Sequence, residues 1–189
     1  MGDVKPGDVF GFCGANAVSH FINLVTYGIP WWGLSHVGIM GEHNDNLLLF
    51  ESTTLTDLPC QIAGRPVAGV QAQHLAARIE HYPGKIWHYP LFRELYLNER
   101  YRLSEFLISN IGRPYDEIGA FRSGAVGFSY IESLFHEQNL QSIFCSELVA
   151  AAHTRVGLFV TDNYSKWNPN RLVRRERKLN ILLKPRRVK

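Results

Sequence analysis

Apolar positions fall along this chain in short runs broken by turn residues, and helical spacing is confined to a few stretches. Residues 8–12 (DVFGF) are β-prone and follow a Pro-Gly turn signal, which predicts a short strand. Ser19 is placed to cap a helix through Thr26, with Phe21, Ile22 and Val25 on one face and Gly28 ending it. An apolar loop bounded by breakers follows at 28–33. Residues 36–40 (HVGIM) and 47–52 (LLLFES) are apolar runs separated by Asn44-Asp45-Asn46, so they predict an antiparallel hairpin.

Further on, the pattern predicts a strand at 69–71, a helical stretch at 74–82 and a strand at 85–90. Helical spacing returns at 99–111, where Leu103, Phe106, Leu107, Asn110 and Ile111 share a face and Gly112 closes it. Residues 130–138 are amphipathic, 145–156 read as a helix stopped by Gly157, and 179–183 read as a last strand. Together these elements predict an α+β fold, a small, mostly antiparallel sheet with helices packed against it.

Length and composition narrow the picture. The chain has 189 residues, of which 46% are hydrophobic and 20% charged, and this fits one domain over 1–189. Four Trp, eight Tyr and eleven Phe supply ample core material, which excludes global disorder. Residues 171–189 hold nine Lys or Arg and one acid, a basic C-terminal strand or tail, whereas the remainder is net acidic. Such a tail would attract nucleic acid, anionic lipid or an acidic partner surface, as in a larger protein assembly, or be simply a solvated final strand and terminus; the lack of interleaved aromatics argues against nucleic acid. No apolar run approaches the ~20 residues of a membrane helix. The first residues carry no signal-peptide pattern, and the three cysteines are widely spaced, so synthesis in a reducing cytoplasm is expected.

Candidate chemistry centres on Cys145, which the pattern places where a loop ends and an Ala-rich helix begins. A thiol there would feel the positive helix end, and free N–H groups would face an oxyanion; the alternative is a small buried core residue. A cysteine nucleophile needs a histidine. His153 lies eight residues along the same helix, about 12 Å of rise away, and is excluded. His20 and His136 stay open, and His36, at the start of a strand, is the more promising. If the hairpin turns at Asn44-Asp45, position 36 pairs with 53 and Glu51 lies two residues along on the same face. A carboxylate there would orient the imidazole; a slip of one residue would send it to the other face.

Several segments occur in a telling order: Lys5-Pro6-Gly7-Asp8, then Ser35-His36-Val37-Gly38-Ile39, then Glu51, then Phe144-Cys145-Ser146-Glu147-Leu148-Val149. They resemble the circularly permuted papain-like branch of the NlpC-type cell-wall peptidase superfamily, the YiiX/YebB-like group. Gly112-Arg113-Pro114-Tyr115-Asp116 is similar to that family's Gly-Lys-x-Tyr-Asp turn, and Asn168-Pro169-Asn170 falls near its Ser-Pro or Thr-Pro segment. The likeness spans about residues 5–170 in the expected order.

The resemblance implies a permuted papain-like fold with Cys145 as nucleophile, His36 as base and acid, and Glu51 as the orienting group. It also implies that Tyr115 lines the site. Trp32, in the loop beside His36, either stacks on a sugar or acyl chain or packs a helix. The implied activity is cysteine-dependent amide hydrolysis, with peptidoglycan peptides as first substrate and no cofactor. Neither HExxH nor paired CxxC spacing is present to suggest zinc. A wall enzyme without a signal peptide would be virion-borne or delivered by a secretion apparatus. The rival expectations are a lipid or acyl thioesterase or acyltransferase, and a non-catalytic module of a larger, virion-type assembly.

Overall fold

The computed structural model describes residues 3–14, 33–53, 58–113, 137–164 and 166–189, with backbone alone for 137–144. Strands β1 (Val9–Cys13), β2 (His36–His43), β3 (Asn46–Thr53), β4 (Gly69–Gln73), β5 (Lys85–Tyr89) and β6 (Arg186–Arg187) form one antiparallel sheet in the order β4-β3-β2-β1-β5-β6. Among the described residues there are four helices, α1 (Leu75–His81), α2 (Leu97–Ser109), α3 (Glu137–Arg155) and α4 (Pro169–Lys178). The expected α+β class is what the chain adopts. The predicted helix at 19–26, the loop at 28–33 with Trp32, and Tyr115 lie outside the described residues.

The sheet is covered on both faces, which explains why its strands read as continuous apolar runs rather than as alternation. One face carries Val9, Val37, Ile39, Phe50, Val70 and Ala72, which pack with Leu103 and Leu107 of α2 and with Leu148, Val149 and Ala152 of α3. The other carries Phe10, Phe12, Met40, Leu49 and Ile86, closed by Leu75 and Ile79 of α1 and by Tyr82. Each fully buried Phe of this second cluster is worth roughly 1.5–3 kcal/mol of transfer free energy.

The β2–β3 hairpin sets the register that matters most. Asn44 and Asp45 both take the left-handed conformation (φ 47° and 61°), which makes a two-residue type I′ turn between paired His43 and Asn46. The Asn46 side chain donates to the Asn44 carbonyl at 2.9 Å. That turn fixes Gly38 opposite Glu51, so Glu51 lies one diagonal step from His36 on the same face. Asn tolerates this conformation where other L-residues do not. Asn44→Ala is therefore expected to cost about 1 kcal/mol, read as a lower urea midpoint with an unchanged m value.

The N-terminal motif is a structural lock. Pro6 and Gly7 turn the chain so that the Asp8 amide bonds the Lys5 carbonyl. Gly7 has φ +90°, and a Cβ there would come within 2.5 Å of Leu91. Asp8, buried, accepts from the Leu91 amide at 2.8 Å and from His88 Nε2 at 2.7 Å. At the other end of α3, buried His153 bonds Glu176 Oε1 (2.8 Å) and the Gly7 carbonyl (3.0 Å), tying α3 and α4 to the start of β1.

Two expectations need correction. Helix α3 begins at Glu137, so Cys145 stands eight residues inside it rather than at its first turn. Of the amphipathic stretch expected at 130–138, Glu137 and Gln138 belong to this helix, and 130–136 lie outside the described residues. The basic segment at 171–189 is not a strand or tail at its start: α4 occupies Pro169–Lys178, with Asn168 capping the Arg171 amide and Pro at the first turn. Leu172, Val173 and Glu176 face inward and the basic residues outward, an i, i+1, i+4 pattern that the sequence reading passed over. The strand expected at 179–183 does not form, Leu182 making only a bridge to Leu91, and the last strand is the two-residue Arg186–Arg187 beyond it.

Candidate active site

His36 opens β2 opposite Phe12, where β1 nears its end. Its position is set by the segment just before it. Buried Asn170 of α4 takes both backbone groups of Leu34: the Leu34 amide donates to Oδ1 at 2.7 Å and Nδ2 donates to the carbonyl at 2.9 Å. Ser35 then donates its amide to the Phe12 carbonyl at 2.9 Å. The Ser35 hydroxyl bonds the same carbonyl and meets the Tyr82 hydroxyl. These fixed contacts leave the His36 ring tilted against Phe12, with centroids 5.4 Å apart.

Glu51 holds the imidazole. His36 Nε2 lies 2.8 Å from Glu51 Oε2, and the other carboxylate oxygen accepts from Arg78 Nε at 2.6 Å. Glu51 is fully buried, Arg78 nearly so, and His36 keeps 13% of its side chain exposed, enough for the ring to border solvent. Burial works against the Glu51 carboxylate, yet the His36 hydrogen bond and the Arg78 charge hold its pKa below the ordinary value. The Arg78 guanidinium itself lies over the rings of Phe12 and Tyr82, 5.2 Å from each centroid.

Cys145 is the second partner of this ring: its side chain hydrogen-bonds to His36. Burial opposes a charge on the ring, but its interactions with Cys145 and with the Glu51 carboxylate outweigh that and push His36 up to about 9. The structure thus brings Cys145, His36 and Glu51 into one hydrogen-bonded chain. Cys145 is wholly buried. The start of α3 lies eight residues earlier, about 12 Å of helix rise, so the free amides of its first turn do not serve this thiol.

Arg78 and Asn170 are site residues that the sequence reading did not single out. Arg78 sits with Leu75, Ile79 and Tyr82 at i, i+3, i+4, i+7 spacing, so a lone Arg in the apolar stripe of a short helix was the available signal. Removing it strands a buried carboxylate on a single partner. Arg78→Met is expected to cost about 3–5 kcal/mol, measured by urea unfolding, whereas Arg78→Lys recovers part of that loss. Glu147 is buried two residues beyond Cys145, and neither carboxylate oxygen has a hydrogen-bond partner among the described residues. Burial pushes its pKa up to about 7.

Comparison with known proteins yields one informative likeness. No family model matches the chain, and no curated protein does. The fold is similar to the crystal structure of the metalloprotein YiiX from Escherichia coli O157:H7, with TM-score 0.51 and 19% identity over 81% of this chain. The chain spans 66% of that protein's length. Among the described residues, no three His, Cys, Asp or Glu side chains are grouped to hold a metal ion. At the candidate site, both Glu51 oxygens are occupied and a guanidinium lies 2.6 Å from one of them, so the cluster does not fit a cation. No described helix is long and apolar enough to cross a membrane. At this level of identity the likeness to YiiX establishes a shared fold, and the hydrogen-bonded side chains of this chain are what speak to chemistry.

Proposed function

We propose that this protein is a cysteine-dependent hydrolase of amide bonds, a permuted papain-like enzyme acting first on peptidoglycan peptides. One observation carries the reading: a buried thiol and a buried carboxylate bond the same imidazole, which their charges push up to about 9. That arrangement supports a thiolate–imidazolium pair poised for attack.

Cys145 adds its sulfur to the substrate carbonyl to give a tetrahedral intermediate. His36 then gives its proton to the leaving amine, and a thioester to Cys145 forms. Water, deprotonated by His36, attacks the thioester and releases the acid and the free thiol. Glu51 holds the ring in orientation and stabilises its charge, and Arg78 keeps Glu51 ionised. The cycle needs no redox partner or organic cofactor, because every proton moves between substrate, water and His36. Within this reading, Tyr115 and Trp32 are proposed to line the substrate side of the site.

Muropeptides incubated with the wild type and with Cys145→Ala test the proposal. New amine ends are expected with the wild type only, and kcat/KM is expected to fall as pH rises past about 9, where His36 loses its proton. Release of fatty acid from phospholipid with none from muropeptides would reassign the enzyme to acyl substrates. Activity undiminished in Cys145→Ala would discard the thiol mechanism.

A further inference from the structure

Helix α4 and the chain that leaves it form a surface that the proposed chemistry does not use. Arg171, Arg174, Arg175 and Lys178 recur at helical spacing on its outer side, all exposed. Past the helix, the Phe92 amide bonds the Ile181 carbonyl and the Leu183 amide bonds the Pro90 carbonyl. This zipper brings Phe92 (64% exposed) beside Leu183 (40%), next in the chain to Lys184 and Arg186. Arg175, Lys178, Lys184 and Arg186 have no acidic partner among the described residues. Phe92, Leu183 and Arg186 also rim a cleft of about 370 Å³ whose floor includes Asp8 and His88.

We propose that this face docks the protein onto an anionic lipid bilayer, with the cations on the headgroup phosphates and Phe92 and Leu183 entering the headgroup–acyl boundary. Charge complementarity argues for an anionic partner: 171–189 carries a net +8 while the rest of the chain is net −5, and Arg171, Arg174, Arg175, Lys178, Lys184 and Arg186 of that segment are all on or next to this face. The apolar side chains set among the cations argue for a bilayer over a nucleic acid. A nucleic acid would call for several stacking aromatics, and here there is one ring and two aliphatic side chains, Leu179 and Leu183. The start of α4 lies near the Cys145 site through Asn170, but Phe92, Leu183 and Arg186 line the cleft over Asp8, at the opposite end of β1 from that site, so the proposal stands independently of the hydrolase reading.

Flotation with phosphatidylglycerol–phosphatidylcholine vesicles, with pure phosphatidylcholine vesicles as control, tests it at physiological salt. The wild type is expected to float with the anionic vesicles only. Arg175→Glu with Lys178→Glu is expected to weaken binding at least tenfold. Phe92→Ser with Leu183→Ser, which leaves the charge unchanged, is expected to weaken it several-fold. Circular dichroism of each variant checks that it is folded. No flotation of the wild type would overturn the proposal, as would binding indifferent to either pair of substitutions. Equal affinity for a single-stranded oligonucleotide, with the apolar pair irrelevant to both partners, would overturn it in favour of a polyanion surface.

Discussion

Replacing His36 by Ala is expected to abolish hydrolysis, because it removes the cation and the proton donor of the proposed thiolate–imidazolium pair. In that pair Cys145 faces an imidazole pushed up to about 9, and a cationic ring there would stabilise a thiolate. Without that cation the thiol is left in a buried setting, where a charge is costly. An ordinary thiol, with pKa near 8.5, is ionised to only about one part in several hundred at pH 6. Thiolate absorbance, assigned by difference against Cys145→Ser, is therefore expected to be weaker in His36→Ala than in the wild type. Absorbance needs no reagent to reach the buried sulfur. Identical spectra in the two proteins would remove His36 from the site.

Glu147→Gln is expected to make the protein more stable at pH 8 than the wild type, and much less so at pH 4. Burial without partners raises the folded-state pKa of Glu147 to about 7 from an ordinary 4.5. The folded protein thus holds this proton between those values while the unfolded chain gives it up. The resulting stability is present in full below about pH 4.5 and is lost as pH rises through 7. A difference of that size corresponds to about 3 kcal/mol, at 1.36 kcal/mol per pH unit. Glutamine keeps the shape and cannot ionise, so the gap between variant and wild type should open across that window. Urea unfolding at pH 4, 6 and 8 measures it, and parallel curves would contradict the burial of an unpaired carboxylate. Glu51 acts in the opposite sense, because its pKa is lowered; it is common to both proteins and cancels in the comparison.

Much of the site was legible because it depends on short-range geometry. Asn44-Asp45 is a strong signal for a two-residue turn, and once the hairpin centre is known, alternation alone places Glu51 on the face of His36. Cys145 was legible as a candidate by its residue type and its neighbours, but its place along α3 was not. The helix boundary depended on residues 137–144 continuing a helix that the sequence reading started at Cys145. The burial of Glu147 was hidden for the same reason, since an acid near a presumed helix start reads as a capping charge.

Arg78 and Asn170 illustrate a different limit. Both act across large sequence separations, 27 residues from Arg78 to Glu51 and 136 from Asn170 to Leu34. Periodicity reports which face of an element is buried, and it carries no information about which distant backbone a buried polar group will satisfy. Helix α4 failed for a third reason. Its net charge drew attention to solvent, while the inward face of Pro169, Asn170, Leu172, Val173 and Glu176 includes only two large apolar side chains.

The proposed mechanism requires His36 to be an imidazolium shared between the Cys145 thiolate and Glu51. Nitrogen-15 chemical shifts of the His36 ring, followed against pH in the wild type and in Cys145→Ser, test it most directly. The expected result is a ring that stays protonated in the wild type until about pH 9 and titrates markedly lower once the thiolate is gone. A wild-type ring that titrates near 6.5, unchanged in Cys145→Ser, would contradict the ion pair and the mechanism built on it.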